Sequence, residues 1–207
     1  MFVQEYVAKQ LLKAAGLTVP RGQVADTPDE AARVGASLKG RVAVKAQVSA
    51  GKRGKGGAIR FAQGAAEVRE AARQILGSTF ANLTIEQVLI EECVPVAREL
   101  YAAVIQDPSR KCPLVLLASE GGMDVEEIHA AFPGNVATWP VDIRTGLDRP
   151  QAGALVEQSA VESAGWPGVA DVLVALYDLY RRLDAELIEI NPLALTTSGA
   201  VVALDCK

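Results

Sequence analysis

Apolar residues recur at helical spacing in several stretches of the chain. Thr27 and Pro28 together have the form of a helix start, with a capping hydroxyl followed by a proline in the first turn. Gly16 and Gly77 stand where two of the helices should end. The predicted helices cover residues 5–15, 28–38, 65–76, 124–131 and 169–184.

Alternating or short continuous apolar runs separate these helices and predict β-strands. In the run at 41–48, Val42 and Val44 share one face, whereas Lys45 and Gln47 share the other. Strands and helices do not alternate strictly, and several strand pairs have the form of hairpins, so we predict an α+β fold of two small lobes. The predicted strands cover residues 41–48, 58–61, 88–92, 98–106, 113–118, 187–195 and 200–205.

The composition narrows the class of protein. Half of the 207 residues are hydrophobic and the formal net charge is −4, which indicates a globular protein and argues against a nucleic-acid partner. The first residues lack the apolar segment of a signal peptide, and no apolar run approaches the length of a membrane span. The cysteines are odd in number and widely spaced, so we expect a cytoplasmic protein. The alternative is a periplasmic protein whose signal peptide has been removed.

A basic, glycine-rich segment follows the strand that carries Lys45. Lys52, Arg53 and Lys55 lie within four residues of one another among glycines, whose backbone N–H groups can approach an anion closely. The pattern is neither a P-loop nor the dinucleotide-binding glycine motif. Three neighbouring cations on an acidic chain favour a triphosphate ligand, and a solvated basic hairpin tip stays open as the other interpretation.

The last hairpin brings oxygen-bearing side chains together. A turn centred near Ser198 places Asn191 opposite Asp205, and Glu189 projects from the same face as Asn191. Such oxygen ligands suit Mg²⁺, whose coordination is completed by water and substrate phosphates. The alternative is that Asn191 merely begins a turn with Pro192 and that Asp205 is a solvated acid.

A set of short motifs runs in one order along nearly the whole chain, and this ordered set resembles the ATP-grasp domain of the β subunit of succinyl-CoA synthetase and of malate–CoA ligase. The resemblance implies an ATP-grasp fold in residues 1–207, with two α+β lobes, the nucleotide between them, and an inserted smaller lobe at roughly 20–95. The motifs are Glu5-Tyr6 with Ala8-Lys9, Lys45-Ala-Gln-Val with Ala50-Gly and Arg53-Gly-Lys, Leu89-Ile-Glu91, Arg98-Glu-Leu-Tyr101, Ser119-Glu-Gly-Gly-Met-Asp124, Leu187-Ile-Glu-Ile-Asn-Pro-Leu193 and Leu204-Asp205.

The resemblance also implies roles for individual residues. Lys45 resembles the lysine that contacts the ATP phosphates, and with Arg53 it would act in catalysis. Asn191 and Asp205 resemble the Mg²⁺ ligands, with Glu189 as possible support. The implied ATP-binding residues are Lys45, Lys52, Arg53, Gly54, Glu91, Val94 and Glu99.

Family membership further implies the reaction and the partners. The enzyme would be an ADP-forming acid–CoA ligase of the tricarboxylic acid cycle, joining succinate or a similar dicarboxylate to coenzyme A. The resemblance implies that the phosphohistidine and the coenzyme A site belong to an α subunit. The single histidine of this chain, His129, lies in no phosphohistidine motif. The alternatives are another ATP-grasp carboxylate ligase, such as a malate or citrate type, and a non-catalytic scaffold module.

The chain departs from the family pattern in length and at single positions. The family's C-terminal CoA-ligase domain is absent, so we expect an excised domain or a short natural variant, incomplete as an enzyme and with exposed surfaces that favour self-association. Gln4 and Ser49 replace family histidines, Lys52 is an added cation, and Cys206 replaces a small residue after the family's aspartate.

Overall fold

The computed structural model describes residues 3–49, 57–123, 127, 135–159 and 167–207. Lys52, Arg53, Gly54 and His129 lie outside these described residues, as does nearly all of the helix predicted at 124–131. The chain divides into two compact units. Unit 1 comprises residues 1–8 and 20–94, and unit 2 comprises residues 9–19 and 95–207.

Unit 1 is built on a four-stranded antiparallel sheet in the order β1-β6-β2-β3. Its strands and helices are β1 Gly22–Ala25, α2 Pro28–Ser37, β2 Arg41–Ala46, β3 Ile59–Gln63, α3 Gly64–Ile75, β4 Thr79–Phe80, β5 Leu83–Thr84 and β6 Val88–Glu92. The hydroxyl of Thr27 accepts the N–H of Glu30 at 3.2 Å, which confirms the predicted start of α2. The small strands β4 and β5 pair only with each other within the described residues.

The core of unit 1 lies on one face of this sheet. Val42, Val44 and Ala46 of β2 pack there with Val68 and Ile75 of α3, as the alternation in the sequence predicted. The opposite face of β2 is buried as well, because Lys45 and Gln47 are only 9% and 1% exposed. A charged residue is almost never buried in this way unless it is paired, so Lys45 marks a special environment.

Unit 2 is built on a five-stranded antiparallel sheet in the order β11-β10-β7-β8-β9. In the described part of the unit, helices Arg149–Gln158 and Pro167–Arg182 pack with this sheet. Helix Pro167–Arg182 contacts β7 and β10, and helix Arg149–Gln158 contacts β9 and helix Pro167–Arg182. The long strand β7 is the middle strand, and its residues Leu100 to Val104 are buried. The elements are β7 Val96–Asp107, β8 Cys112–Ala118, β9 Val136–Pro140, α4 Arg149–Gln158, α5 Pro167–Arg182, β10 Leu187–Thr196 and β11 Val201–Ala203.

Helix α1, Glu5–Ala14, contributes its first turn to unit 1 and its later residues to unit 2. Gly16 follows it with a φ of +84°, a left-handed conformation that glycine adopts without strain, as expected of a helix end. Within the described part of the chain, no helix combines the length and apolar character needed to cross a membrane.

Candidate functional site

The side chain of Lys45 lies between two carboxylates in unit 1. Its Nζ is 2.9 Å from Oε1 of Glu5 and 2.8 Å from Oε2 of Glu91. The side chains of Lys45, Glu5 and Glu91 are 11%, 0% and 3% exposed, respectively. Removing charged groups from water costs several kcal/mol per ion, so a lysine and two glutamates are buried together only when they compensate one another closely. We call these three residues the lysine clamp.

The sheet register explains why Glu91 reaches Lys45. Glu91 of β6 is paired with Ala43 of β2, and Lys45 is two residues further along the same face of β2. On its other side Glu91 is paired with Gly22 of β1. A Cβ atom at Gly22 would come within 2.7 Å of Cγ of Glu91, so the absence of a side chain there leaves room for Glu91.

Helix α1 supplies the second carboxylate, and Gln47 fixes the start of that helix. The Oε1 atom of Gln47 accepts the N–H of Tyr6 at 3.0 Å, and the backbone carbonyl of Gln47 accepts Nε2 of Gln4 at 3.2 Å. The Nε2 atom of Gln47 in turn donates to the carbonyls of Lys45 and Ala46. The first turn of α1 is thereby tied to β2 beside Lys45, which places Glu5 against the ammonium group.

The end of β6 carries further polar contacts near Val94, which is half-buried. Arg21 donates from Nε and Nη2 to Oε2 of Glu92, and its backbone N–H donates to Oε1. The hydrogen bond from the Arg21 side chain lowers the pKa of Glu92 below its ordinary value of 4.5. Partial desolvation raises the pKa of the Cys93 thiol above its ordinary value, although the residue is exposed.

In unit 2 the last hairpin has the register that the sequence predicted. Leu193 pairs with Ala203, and the N–H of Asn191 donates to the carbonyl of Asp205 at 3.1 Å. An isolated bridge between Ile190 and Cys206 continues the same register. Asn191 and Asp205 are therefore opposite one another, and both are half-buried.

The segment from Gly121 to Met123 holds the side chain of Asn191 at both of its polar atoms. Oδ1 of Asn191 accepts the N–H of Gly122 at 2.7 Å, and Nδ2 donates to the carbonyl of Met123 at 2.8 Å. The amide orientation is thus fixed, and Oδ1 keeps a second lone pair for another interaction. This segment could be recognised in the sequence as a glycine-rich motif, but its contact with Asn191 could not.

The two glycines of this segment, Gly121 and Gly122, pack closely against residues of β7. A Cβ atom at Gly121 would lie 2.3 Å from the carbonyl oxygen of Leu100, and one at Gly122 would lie 2.5 Å from Oε2 of Glu99. Gly122 also has a φ of +74°, which favours glycine. Glu99, which is exposed, therefore lies beside the segment that holds Asn191.

The region around Asn191 and Asp205 offers a small number of oxygen atoms that could bind a metal ion. Glu189 accepts the hydroxyl of Tyr101 on Oε2 at 3.0 Å, which gives this carboxylate a structural contact. Among the described residues no group of three histidine, cysteine, aspartate or glutamate side chains could hold a metal ion. One carboxylate, Asp205, and one amide oxygen, Asn191, nevertheless fit Mg²⁺, which is commonly held by one or two protein oxygens together with substrate phosphates. The supporting role of Glu189 stays a prediction.

The structure distributes the predicted site residues over both units. Lys45, Glu91 and Val94 belong to unit 1, where Lys45 contacts Glu91 directly. Glu99, Asn191, Asp205 and Glu189 belong to unit 2. Sequence reasoning gave no role to Glu5, Gln47 or Gly22, because their contacts depend on packing between elements far apart in the chain. Glu5 offered only one signal, its place in a motif near the start.

Comparison with known proteins identifies relatives of the chain. Residues 2–195 match the model of a family described as the ATP-grasp domain. The chain is 41% identical over 207 residues to the β subunit of a GDP-forming succinate–CoA ligase from Thermus thermophilus, covering 100% of the chain and 54% of the relative. It is 41% identical over 203 residues to the β subunit of an ADP-forming succinate–CoA ligase from Methanothermobacter thermautotrophicus, covering 98% of the chain and 55% of the relative.

Solved structures show the same fold. A dinucleotide-forming acetyl-coenzyme A synthetase 1 from Ca. Korarchaeum cryptofilum, in complex with coenzyme A and Ca-AMPCP, superimposes with a TM-score of 0.80 at 19% sequence identity. The match covers 99% of this chain and 91% of that one. By contrast, the chain spans about half the length of the curated relatives that it matches.

Proposed function

Because the chain belongs to the ATP-grasp family, we propose that it is the nucleotide-binding part of an ADP-forming acid–CoA ligase of the succinate–CoA ligase type. The observation that carries this proposal is the lysine clamp, in which a buried ammonium group is held beside β6. The strand that carries this lysine precedes the basic, glycine-rich segment in the sequence. A lysine that served only the fold could be replaced by an apolar side chain without the cost of burying three charges. The similarity to succinate–CoA ligase β subunits along the whole chain supports the same function.

The proposed chemistry of this chain is positioning and charge compensation. Lys45, with Lys52 and Arg53 of the basic, glycine-rich segment, would offset the negative charge of the β- and γ-phosphates of ATP, which is the main requirement of phosphoryl transfer. Glu91 and Val94 would border the adenine, and Glu99 and Gly54 would complete the contacts with the nucleotide. Asn191 and Asp205 would hold Mg²⁺, which when bound adds positive charge at the phosphates.

The remaining steps would depend on partners. The β-subunit names of the relatives imply a partner α subunit. We propose that this subunit carries the phosphohistidine and the coenzyme A site. The acid would be succinate or a similar dicarboxylate. Of the two relatives named above, one forms GDP and the other ADP, so the choice between ATP and GTP is part of the test.

The lysine assignment is tested by calorimetric titration of the chain with ATP, AMP and GTP in the presence of Mg²⁺. Lys45→Ala should weaken ATP binding about 10- to 100-fold, the value of a charge-assisted hydrogen bond, and should leave AMP binding nearly unchanged. Lys45→Gln removes the charge but keeps a donor for the two glutamates, so it tests the same point if the alanine variant fails to fold. Lys39→Ala is the matched control, since Lys39 is an exposed lysine of the same unit. Equal losses for ATP and AMP would contradict the phosphate role.

The metal assignment is tested with the same titration at several Mg²⁺ concentrations. Asp205→Ala should abolish the dependence of ATP affinity on Mg²⁺, because it removes the one carboxylate among the two proposed protein ligands. Asp178→Ala removes an exposed aspartate from α5 and should leave the dependence as in the original chain. An unchanged Mg²⁺ dependence in Asp205→Ala would refute the assignment.

A further inference from the structure

Glu5 of α1 contacts Lys45 in addition to its sheet partner Glu91, and neither the motifs nor the relatives assign Glu5 a function. Its carboxylate lies 2.9 Å from Nζ of Lys45, and its side chain is fully buried. Glu91 already supplies a carboxylate to the same ammonium group at 2.8 Å. One carboxylate is enough to pair with a lysine, so the second buried carboxylate needs a separate explanation.

Stability is a poor explanation for the second carboxylate. Burying a charged pair generally returns less than the desolvation of its ions costs, and apolar side chains of similar volume are often as stable or more so. A third buried charge adds to that cost. A second carboxylate does restrict the flexible side chain of the lysine from a second direction.

Lysine has a long stem with four rotatable bonds, and its rotamer entropy is roughly 2 kcal/mol. A single acceptor allows the ammonium group to pivot around one contact. Two acceptors, one from β6 and one from α1, fix the position of Nζ in space before a ligand binds. Binding groups that are held in place in advance lose less entropy when the ligand arrives.

The position of Glu5 is itself fixed by the protein. The first turn of α1 is tied to β2 through the hydrogen bond from the N–H of Tyr6 to Gln47, a residue only 1% exposed. Gln47 also donates to the backbone carbonyl of Lys45. The backbone that carries Glu5 and the backbone that carries Lys45 are therefore joined by one buried side chain.

We propose that Glu5 is a positioning residue that holds the ammonium group of Lys45 in the place where it meets the β- and γ-phosphates of the nucleotide. This inference rests on the proposed function. The effect of Glu5 depends on the length of its side chain, because its carboxylate acts by fixing the position of Nζ of Lys45.

Two conservative variants separate reach from charge. Glu5→Asp keeps the charge but withdraws the carboxylate by about 1.5 Å, the length of one carbon–carbon bond. Glu5→Gln keeps the length and an oxygen acceptor but removes the charge. Glu86→Asp and Glu86→Gln are the matched controls, because Glu86 is an exposed glutamate of the same unit.

Titration calorimetry with Mg-ATP and with AMP gives the readout, after circular dichroism and thermal unfolding have shown that each variant is folded. We expect Glu5→Asp to weaken ATP binding about tenfold with AMP affinity changed less than twofold, and Glu5→Gln to bind ATP within about threefold of the original chain. A structural role alone would weaken ATP and AMP together.

Three results would overturn the inference: unchanged ATP affinity in Glu5→Asp, equal losses for ATP and AMP, or a larger loss of ATP binding in Glu5→Gln than in Glu5→Asp. If Glu5→Asp does not fold, the Glu5→Gln arm decides, since an ATP loss greater than threefold contradicts the proposal. Failure of the original chain to bind ATP would instead refute the proposed function, so the two failures are distinguishable.

Discussion

Replacing Gly121 by alanine should destabilise unit 2, because the backbone of this glycine lies directly against the middle strand of the sheet. The added Cβ would lie 2.3 Å from the carbonyl oxygen of Leu100, 2.6 Å from its carbonyl carbon and 2.9 Å from its nitrogen. All three are backbone atoms of β7, which is hydrogen-bonded to β10 on one side and β8 on the other. The strand cannot yield, so residues 121–123 must move instead.

The magnitude follows from what that movement disrupts. Overpacking against a rigid neighbour costs about 1–3 kcal/mol. A shift of the segment also weakens the two hydrogen bonds between Asn191 and residues 122 and 123, each worth about 0.5–1.5 kcal/mol. Part of the strain is relieved by the movement itself, so we expect a loss of about 2–3 kcal/mol in the free energy of unfolding.

Urea unfolding followed by tryptophan fluorescence measures this loss in the correct unit, since both tryptophans lie within residues 95–207. Gly153→Ala is the control: Gly153 is in helix α4, and nothing lies within 4 Å of its added Cβ. This change should stabilise by about 0.5–1 kcal/mol, the usual gain from replacing glycine within a helix. A Gly121→Ala variant within 0.5 kcal/mol of the original chain would refute the described packing of this segment on β7.

Two further predictions concern unit 1. Gly22→Ala should lower both thermal stability and ATP affinity, because its Cβ would lie 2.7 Å from Cγ of Glu91 and would displace this member of the lysine clamp. Scanning calorimetry and ATP titration measure the two effects, and unchanged values would contradict the prediction. Glu92→Gln should destabilise the chain at pH 7, because it removes the ion pair with Arg21 that lowers the pKa of Glu92. The stabilisation from this ion pair is fully present above the ordinary pKa of 4.5 and is lost as the pH falls through the lowered pKa. Urea midpoints measured from pH 7 down to about pH 2 check it, and a difference that stays equally large over this range would contradict it.

The sequence predicted those features that depend on neighbouring residues. The N-cap at Thr27 is a local interaction, and it was confirmed. The register of the last hairpin follows from the position of its turn, and the pairing of Leu193 with Ala203 confirmed it. Membership of the ATP-grasp family was also confirmed, because the motifs that carry it are conspicuous in order and spacing.

Several elements were not predicted, for identifiable reasons. Strand β1 is four residues long, which is too short for a clear alternation, and β9 ends in proline. Helix α4 has few apolar residues, although Asp148 and Gln151 form a capping box that the sequence could have revealed. These elements are stabilised mainly by contacts that local patterns do not record.

The site shows the same division. Lys45 and Asp205 could be selected from residue type and spacing, but the lysine clamp requires α1, β2 and β6 to pack together. The fixed amide of Asn191 likewise depends on a segment about seventy residues away in sequence. Local patterns identify which residues can carry charge or bind metal, whereas tertiary packing decides which partners orient them.

The most direct test of the central claim is a crystal structure of the chain with Mg²⁺ and a non-hydrolysable ATP analogue. We expect a phosphate oxygen about 3 Å from Nζ of Lys45, and a metal ion about 2.0–2.1 Å from oxygens of Asn191 and Asp205. A nucleotide bound away from Lys45, or a metal ion that neither Asn191 nor Asp205 contacts, would contradict the proposed nucleotide and metal sites.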